Sequence, residues 1–259
     1  TLPLRAATAT WTTSDLDSWV YNNATQPGGA TAAPSWMNIV AIDDMTHQFK
    51  PMSSIDPARL GSALYAYSSS GKITPGLAPS RYQINSVTFQ ASCQMAGEVS
   101  ALYENQPVSQ TQILSEYTNG SLNWQKPMEL YGVGFRGGYT GFEFSATSPG
   151  PPLFEELVHG YSGSGGSYVV YPVVGSNSLP GAYVDVMNSV TGGFSATEPG
   201  NTTAPFTPAP WAIGTTNLNR GDPLPTVSTF TFAVDLNGTG VRSYLQQSLA
   251  NGGVGFIVS

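Results

Sequence analysis

The stretch TVSTFTFAVDLNGTGVRSYLQQSLANGGVGFIVS, residues 226–259, decides the fold that the sequence predicts. Its first part alternates large apolar residues with small or polar ones, the period of two that is typical of a strand with one buried face. The residues on the apolar side are Phe230, Phe232, Val234 and Leu236. A strand of this kind needs a second layer to cover its apolar side, so the stretch predicts a packed β-sheet structure.

The second part of this stretch predicts a short helix followed by a strand. Apolar residues recur at helical spacing, and Thr239 can serve as the N-cap. These apolar residues are Val241, Tyr244, Leu245 and Leu249. The triplet Asn-Gly-Gly at 251–253 supplies a left-handed stop. Val254, Phe256 and Val258 then resume the period of two, which predicts a strand that joins an existing sheet.

The rest of the chain supports an all-β fold. Residues 82–95 alternate and predict a central strand, and residues 129–144 predict two strand ends whose glycines permit close backbone approach. Frequent Gly and Pro, with little helical periodicity, favour a two-sheet β-sandwich of jelly-roll type with long loops and one short helix near the C-terminus. We expect an N-terminal extended arm at 1–13, with a weak edge-strand pattern over 4–13, and a single domain at 14–259.

Composition excludes several partner classes. Only 10% of the 259 residues are charged, and 16 acids against 9 bases give a net charge of −7 without a basic cluster. Nucleic acid and anionic membrane surfaces are therefore poor partners, because both need basic residues in number. The sequence contains no apolar run of about 20 residues, so no membrane span is predicted.

Several segments resemble a group of secreted bacterial proteins of planctomycete type. The likeness lies in ELYGVGFRGGYTGFEF (129–144), PWAIGTTNL (210–218) and the closing stretch, with DSWVYNNAT (17–25) and DDMTHQF (43–49) in the N-terminal half. The group has no assigned activity. The resemblance therefore implies a secreted β-sandwich and transfers no residue roles.

An extracellular setting is also expected from the residue usage. Cys93 is the one cysteine, so no internal disulfide forms, and its alternating context predicts a buried strand thiol. The chain opens at Thr1 without a charged and apolar leader, as a processed mature protein or a trimmed chain does. Possible N-glycosylation sites of the N-x-[ST] type occur at Asn23, Asn119, Asn201 and Asn237.

Two acidic segments are candidate metal sites. Asp43 and Asp44 precede His47, and Glu155 and Glu156 precede His159, with an acid and a histidine three residues apart in each case. A transition-metal site would need facing helices, which a sandwich lacks. Calcium held by Asp43, Asp44 and loop carbonyls is the better candidate, because loops supply the oxygen ligands that calcium prefers. Exposed carboxylates and a solvated histidine are the alternative.

No catalytic constellation emerges, so we do not expect an enzyme. The Gly/Ser run around Ser162 and Ser164 does not follow an apolar strand and open a helix, as a nucleophile elbow does. Glu129 and Glu143 could face each other across a Gly-rich hairpin as a glycosidase pair. Any two acids on a hairpin would face each other in this way, so the pattern is not specific for a glycosidase.

Two functions are consistent with these features. The first is a structural or assembly protein of the cell exterior that associates with itself as a fibre, layer or matrix, through addition of its N-terminal arm to a neighbour's sheet with Leu4 and Trp11 in pockets. The alternative is a carbohydrate-binding, lectin-like module in which Trp124 and Trp11 stack on sugars, whereas Trp19, Trp36 and Trp211 fill the core.

Overall fold

The structure is a computed structural model that describes residues 8–21, 40–43, 48–51, 61–94, 102–107, 127–135, 141–142, 144, 170–174, 184–185 and 210–258. Over these residues the chain is mostly β-strand, in two sheets, with one α-helix near the C-terminus. The all-β class and the short C-terminal helix are thereby confirmed. No helix in this part of the chain is long and apolar enough to cross a bilayer.

In chain order the elements are β1 (Leu16–Tyr21), β2 (Val40–Asp43), β3 (Gln48–Pro51), β4 (Gly61–Ser68), a 3₁₀ turn (Pro79–Arg81), β5 (Thr88–Gln94), β6 (Glu129–Phe135), β7 (Val170–Val174), β8 (Val184–Asp185), β9 (Ala212–Ile213), β10 (Val227–Ala233), α1 (Val241–Ala250) and β11 (Gly253–Val258). The large sheet has the order β1-β4-β11-β6-β7-β8, and β9 also pairs with β6. The small sheet has the order β10-β5-β3-β2, with β3 parallel to β5.

The two sheets contact each other through aromatic rings. Phe89 of β5 lies 5.3 Å from Tyr65 of β4 and 5.6 Å from Phe256 of β11, measured between ring centroids. The Phe232 ring of β10 lies 5.6 Å from the same Phe89. Phe232 and Phe256 are both buried, as the period of two predicts. The inward-pointing residues of the closing stretch therefore form part of the core between the sheets, together with Phe89 and Tyr65.

The large sheet is buried on its other face as well. Ile257 stands opposite Leu64 of β4 and Tyr131 of β6 in the register, and all three side chains are fully buried. The rings of Phe142 and Phe144 lie over Gly255 and Gly253 on this side of the sheet. The sequence predicts one buried face for each sheet, so this second buried face is a departure from the expected two-layer arrangement.

Helix α1 packs on the large sheet on the side of the small sheet. Val241, Tyr244 and Leu245 are buried, as predicted from their spacing. The Tyr244 ring meets Trp211 edge-on with centroids 4.7 Å apart, and Trp211 in turn lies over Gly132. A side chain at position 132 would collide with the indole, which is the close backbone approach expected of this glycine-rich segment.

The start of α1 differs from the prediction. The N-cap position is Gly240, in a left-handed conformation with φ 75°, and no side chain caps the helix. Thr239 is therefore not the N-cap. The Ser243 hydroxyl donates to the Gly240 carbonyl within the first turn. The predicted left-handed stop is confirmed, because Gly252 has φ 97°.

The predicted strand at 82–95 is shorter than expected. Strand β5 covers only Thr88–Gln94, although Tyr82 and Ile84 are buried. Side chains of α1 hydrogen-bond to the backbone that precedes β5. Gln246 Nε2 donates to the Tyr82 carbonyl at 2.7 Å, and Arg242 donates to the Ile84 carbonyl. These carbonyls are satisfied by α1, so this part of the chain is extended without a partner strand.

Candidate functional surface

The exposed side of strands β5 and β10 in the small sheet is a neutral polar surface. Burial alternates along β10, with Phe230 and Phe232 inward, and along β5, with Phe89 and Ala91 inward. The intervening residues point outward, and Thr215 joins them through its bridge to Thr231. We call this surface the outer face; its described residues are Thr88, Gln90, Ser92, Thr215, Val227, Thr229, Thr231 and Ala233.

Hydrogen bonds between neighbouring strands fix the polar groups of the outer face. Gln90 Nε2 donates to Thr231 Oγ1 at 3.0 Å, and the hydroxyls of Ser92 and Thr229 are 3.2 Å apart. None of the side chains just named as forming the outer face is charged. Val227, at the start of β10, is 52% exposed. The surface is therefore ordered, uncharged and able to offer both methyl groups and hydroxyls to a partner.

Trp11 lies against its own chain. Its indole Nε1 donates to the Ser68 carbonyl at 2.7 Å, and its ring meets Tyr67 edge-on at 6.1 Å. Asp15 Oδ2 accepts the Ser68 N–H at 2.8 Å. The Lys72 ammonium lies 5.7 Å from the Trp11 ring centroid and donates to the Thr10 carbonyl.

These contacts attach residues 10–15 to the turn that follows β4. Residues 8–13 are not part of a strand, so the edge-strand pattern over 4–13 is wrong for this portion. Leu4, the other predicted assembly residue, lies outside the described residues. Whether a partner binds the arm stays a prediction, but Trp11 already has contacts within its own subunit.

Glu129 is buried and bonded within its own strand. Its Oε2 accepts the Tyr131 hydroxyl at 2.6 Å. Glu143, its predicted glycosidase partner, lies outside the described residues. Among the described residues, Glu129 is thus brought together with the phenol of Tyr131.

Glu104 is a buried carboxylate that the sequence reasoning did not identify. The Arg220 guanidinium lies 2.7 Å from its Oε1, which also accepts the N–H groups of Asn105 and Gln106 at 2.9 Å each. The Glu104 side chain is 1% exposed and that of Arg220 is 56% exposed. This arrangement joins segment 102–107 to the loop before β10, a structural role that neither composition nor spacing signals.

The turn between β10 and α1 carries an oxygen-rich pattern that the sequence analysis missed. Asp235, Asn237 and Thr239 alternate before Gly240, a spacing shared with calcium loops. Asp235 is the one carboxylate among them, and its Oδ1 accepts the Asn237 N–H at 2.9 Å. Calcium loops rely on several carboxylates. No cluster of three metal-ligating acids, histidines or cysteines occurs among the described residues.

The remaining predicted sites are located only in part. Asp43 is the last residue of β2. Asn237 is exposed, as a glycosylation site must be. Outside the described residues lie Asp44, His47, Trp124, Glu155, Glu156, His159, Ser162, Ser164, Asn23, Asn119 and Asn201. Calcium binding and glycosylation therefore stay predictions.

No protein family matches this chain, and no curated protein or solved structure is significantly similar to it. The resemblance to secreted bacterial proteins stays a prediction. Any function must accordingly be argued from the residues themselves.

Proposed function

We propose that this protein is an extracellular structural protein whose subunits associate with one another in a fibre, layer or matrix. The proposal includes a jelly-roll arrangement of the two sheets. It involves no catalytic residue.

The outer face of the small sheet is the observation that carries this proposal. Protein interfaces are depleted of charge at their centre relative to the remaining surface. Subunits that each carry a net charge of −7 repel one another, and a contact surface without charges of its own adds no close like-charge pairs to that repulsion. The β5 and β10 positions of the outer face meet this condition, because they are Thr, Ser, Gln, Val and Ala.

Sedimentation velocity over a range of micromolar concentrations tests the proposal, with negative-stain electron microscopy of the same samples. We expect multimers whose proportion increases with concentration. A monomer at every concentration, together with fields of single particles, would contradict the proposal.

The N-terminal arm is the second element of this proposal, and Trp11 changes how it must be tested. Deleting residues 1–13 would remove the Trp11 contact to Ser68 and the Thr10 contact to Lys72, so it could destabilise the subunit itself. Deleting residues 1–7 retains both contacts. If the arm adds to a neighbour, this shorter deletion reduces association without lowering the melting temperature.

A carbohydrate-binding module is the second candidate, and the same outer face favours it. Its hydroxyl and amide groups can hydrogen-bond a neutral polysaccharide. Binding would raise the melting temperature of the protein, by an amount that increases with the logarithm of the ligand concentration above Kd. A panel of neutral polysaccharides tests this, and the absence of any shift by a polysaccharide would exclude its binding.

A further inference from the structure

Strand β10 pairs with β5 on one side, and its opposite edge has hydrogen-bond partners along only half of its length. The Thr231 N–H donates to the Thr215 carbonyl and the Thr215 N–H donates to the Thr231 carbonyl, both at 2.9 Å. Asp235, just beyond the strand, donates its N–H to the Trp211 carbonyl at 2.8 Å. Segment 211–215 therefore runs antiparallel to the C-terminal half of β10 and pairs with it.

The other half of this edge is open among the described residues. Backbone groups point alternately to the two sides of a strand, so Val227 and Thr229 direct their N–H and C=O groups to the same side as Thr231. The chain after Thr215 does not continue this pairing among the described residues, because the N–H of Asn219, which would face Val227 in the same register, donates to Asp222 Oδ2 at 2.8 Å. Val227 and Thr229 are both exposed.

This open edge lacks the protection that edge strands usually have. Natural edges carry lysines, inward-pointing charges, prolines or bulges, which prevent pairing with another chain. Here the outward side chains are Val227 and Thr229, and Pro225 lies two positions before the strand, where it does not interrupt it. The pairing of β10 with β5 is regular over all seven residues, with no bulge.

We propose that β10 pairs through Val227 and Thr229 with the same edge of a second copy, in antiparallel orientation about a two-fold axis. The inference rests on the proposed function, since it identifies the surface by which subunits associate. An antiparallel edge is complementary to itself, because each outward N–H meets an outward C=O of the partner. Neutral side chains on both edges place no like charges together.

Pairing of this kind has a consequence for the outer face. The small sheets of two subunits become one continuous sheet, and their outer faces lie side by side. The neutral surface available for further stacking or for a polysaccharide is thereby doubled in the dimer.

Two variants test the edge directly. Thr229→Pro removes an N–H that points outward, whereas the bonds to β5 come from the neighbouring residues and remain. Val227→Lys places a charge at the edge. The control, Thr88→Lys, places the same charge on the outer face but on β5, away from the edge. Analytical ultracentrifugation of the full chain measures association, and circular dichroism measures folding.

We expect each edge variant to raise the dimer dissociation constant at least about tenfold. Thr229→Pro removes intersubunit hydrogen bonds, and Val227→Lys brings two like charges together across the two-fold axis. The control should leave this constant within about twofold. Amide hydrogen exchange gives a second readout: the Thr229 amide should become protected as concentration increases, whereas the Thr231 amide is protected at every concentration. If Thr229→Pro does not fold, Val227→Lys and the exchange data decide.

The outcomes separate the inference from the proposed function. A monomeric wild type contradicts both. A wild type that associates together with folded edge variants of unchanged affinity contradicts the edge pairing alone. Loss of association in Thr88→Lys as well would assign the contact to the whole outer face, and loss on deletion of residues 1–7 alone would assign it to the arm. Either result overturns pairing through β10.

Discussion

The two sheets bury different numbers of faces. In the large sheet, β11 is enclosed on both sides: Phe256 points toward the small sheet and Ile257 away from it, and both are buried. In the small sheet, β10 buries Phe230 and Phe232 while Thr229 remains exposed. The strand enclosed on both sides is uniformly apolar or glycine, whereas the half-exposed strand alternates.

This difference locates the surface that is free to interact. Residues on both faces of β6 and β11, in the middle of the large sheet, are buried, so changing them alters stability before it alters recognition. The small sheet separates these roles, because alternate residues belong to the core and to the surface. Function is therefore expected where the period of two is clearest, on β5 and β10.

The largest effect is expected at Phe232, which the small sheet buries completely. Phe232→Ala should lower the free energy of unfolding by about 3–5 kcal/mol, since it removes a ring packed against Phe89. Denaturant titration measures the change. The control is Thr231→Ala on the outer face, with an expected change within about 0.5 kcal/mol. Equal losses at the two positions would show that the strand register is shifted by one residue.

A second variant examines the additional buried face of the large sheet. Ile257→Ala should reduce the free energy of unfolding by about 2–5 kcal/mol, because the side chain is fully buried opposite Leu64 and Tyr131. Val227→Ala, an apolar truncation on the exposed side of the small sheet, should change it by no more than about 0.5 kcal/mol. A small loss for Ile257→Ala would mean that the large sheet, like the small one, has a solvent-exposed face.

A smaller effect is expected from Gly132→Ala, which probes the close approach of Trp211 to β6. The added methyl group would meet the indole ring, so Trp211 and Tyr244 must shift. Overpacking of this kind costs about 1–3 kcal/mol. Thermal unfolding with tryptophan fluorescence should show both the lower stability and a changed indole environment. An unchanged melting temperature would place the indole away from Gly132.

The sequence predicts the closing stretch well because its signals are local. The period of two along β10, the helical spacing of α1 and the glycine after Asn251 each depend on neighbours a few residues away. The structure confirms all three. The β10 part of the outer face follows from the same alternation, so the composition of that part could have been derived from residues 227–233 alone.

What the sequence did not predict depends on distant contacts. Tyr82 and Ile84 alternate like a strand, but α1 bonds their carbonyls and prevents pairing. The burial of Glu104 depends on Arg220, more than a hundred residues later. The open half of the β10 edge depends on where segment 211–215 ends. None of these leaves a pattern within a single window of sequence.

The position of β11 also constrains the order in which the large sheet can be built. Translation delivers β4 and β6 first, yet these strands are separated in the sheet by Gly253–Val258, which leave the ribosome later. Until then, β4 and β6 have no partner on their facing edges, and the apolar Leu64 and Tyr131 have no neighbour between them. The large sheet consequently closes only after synthesis of its central strand and not strand by strand, so its two halves wait for the last residues of the described chain before they become one sheet.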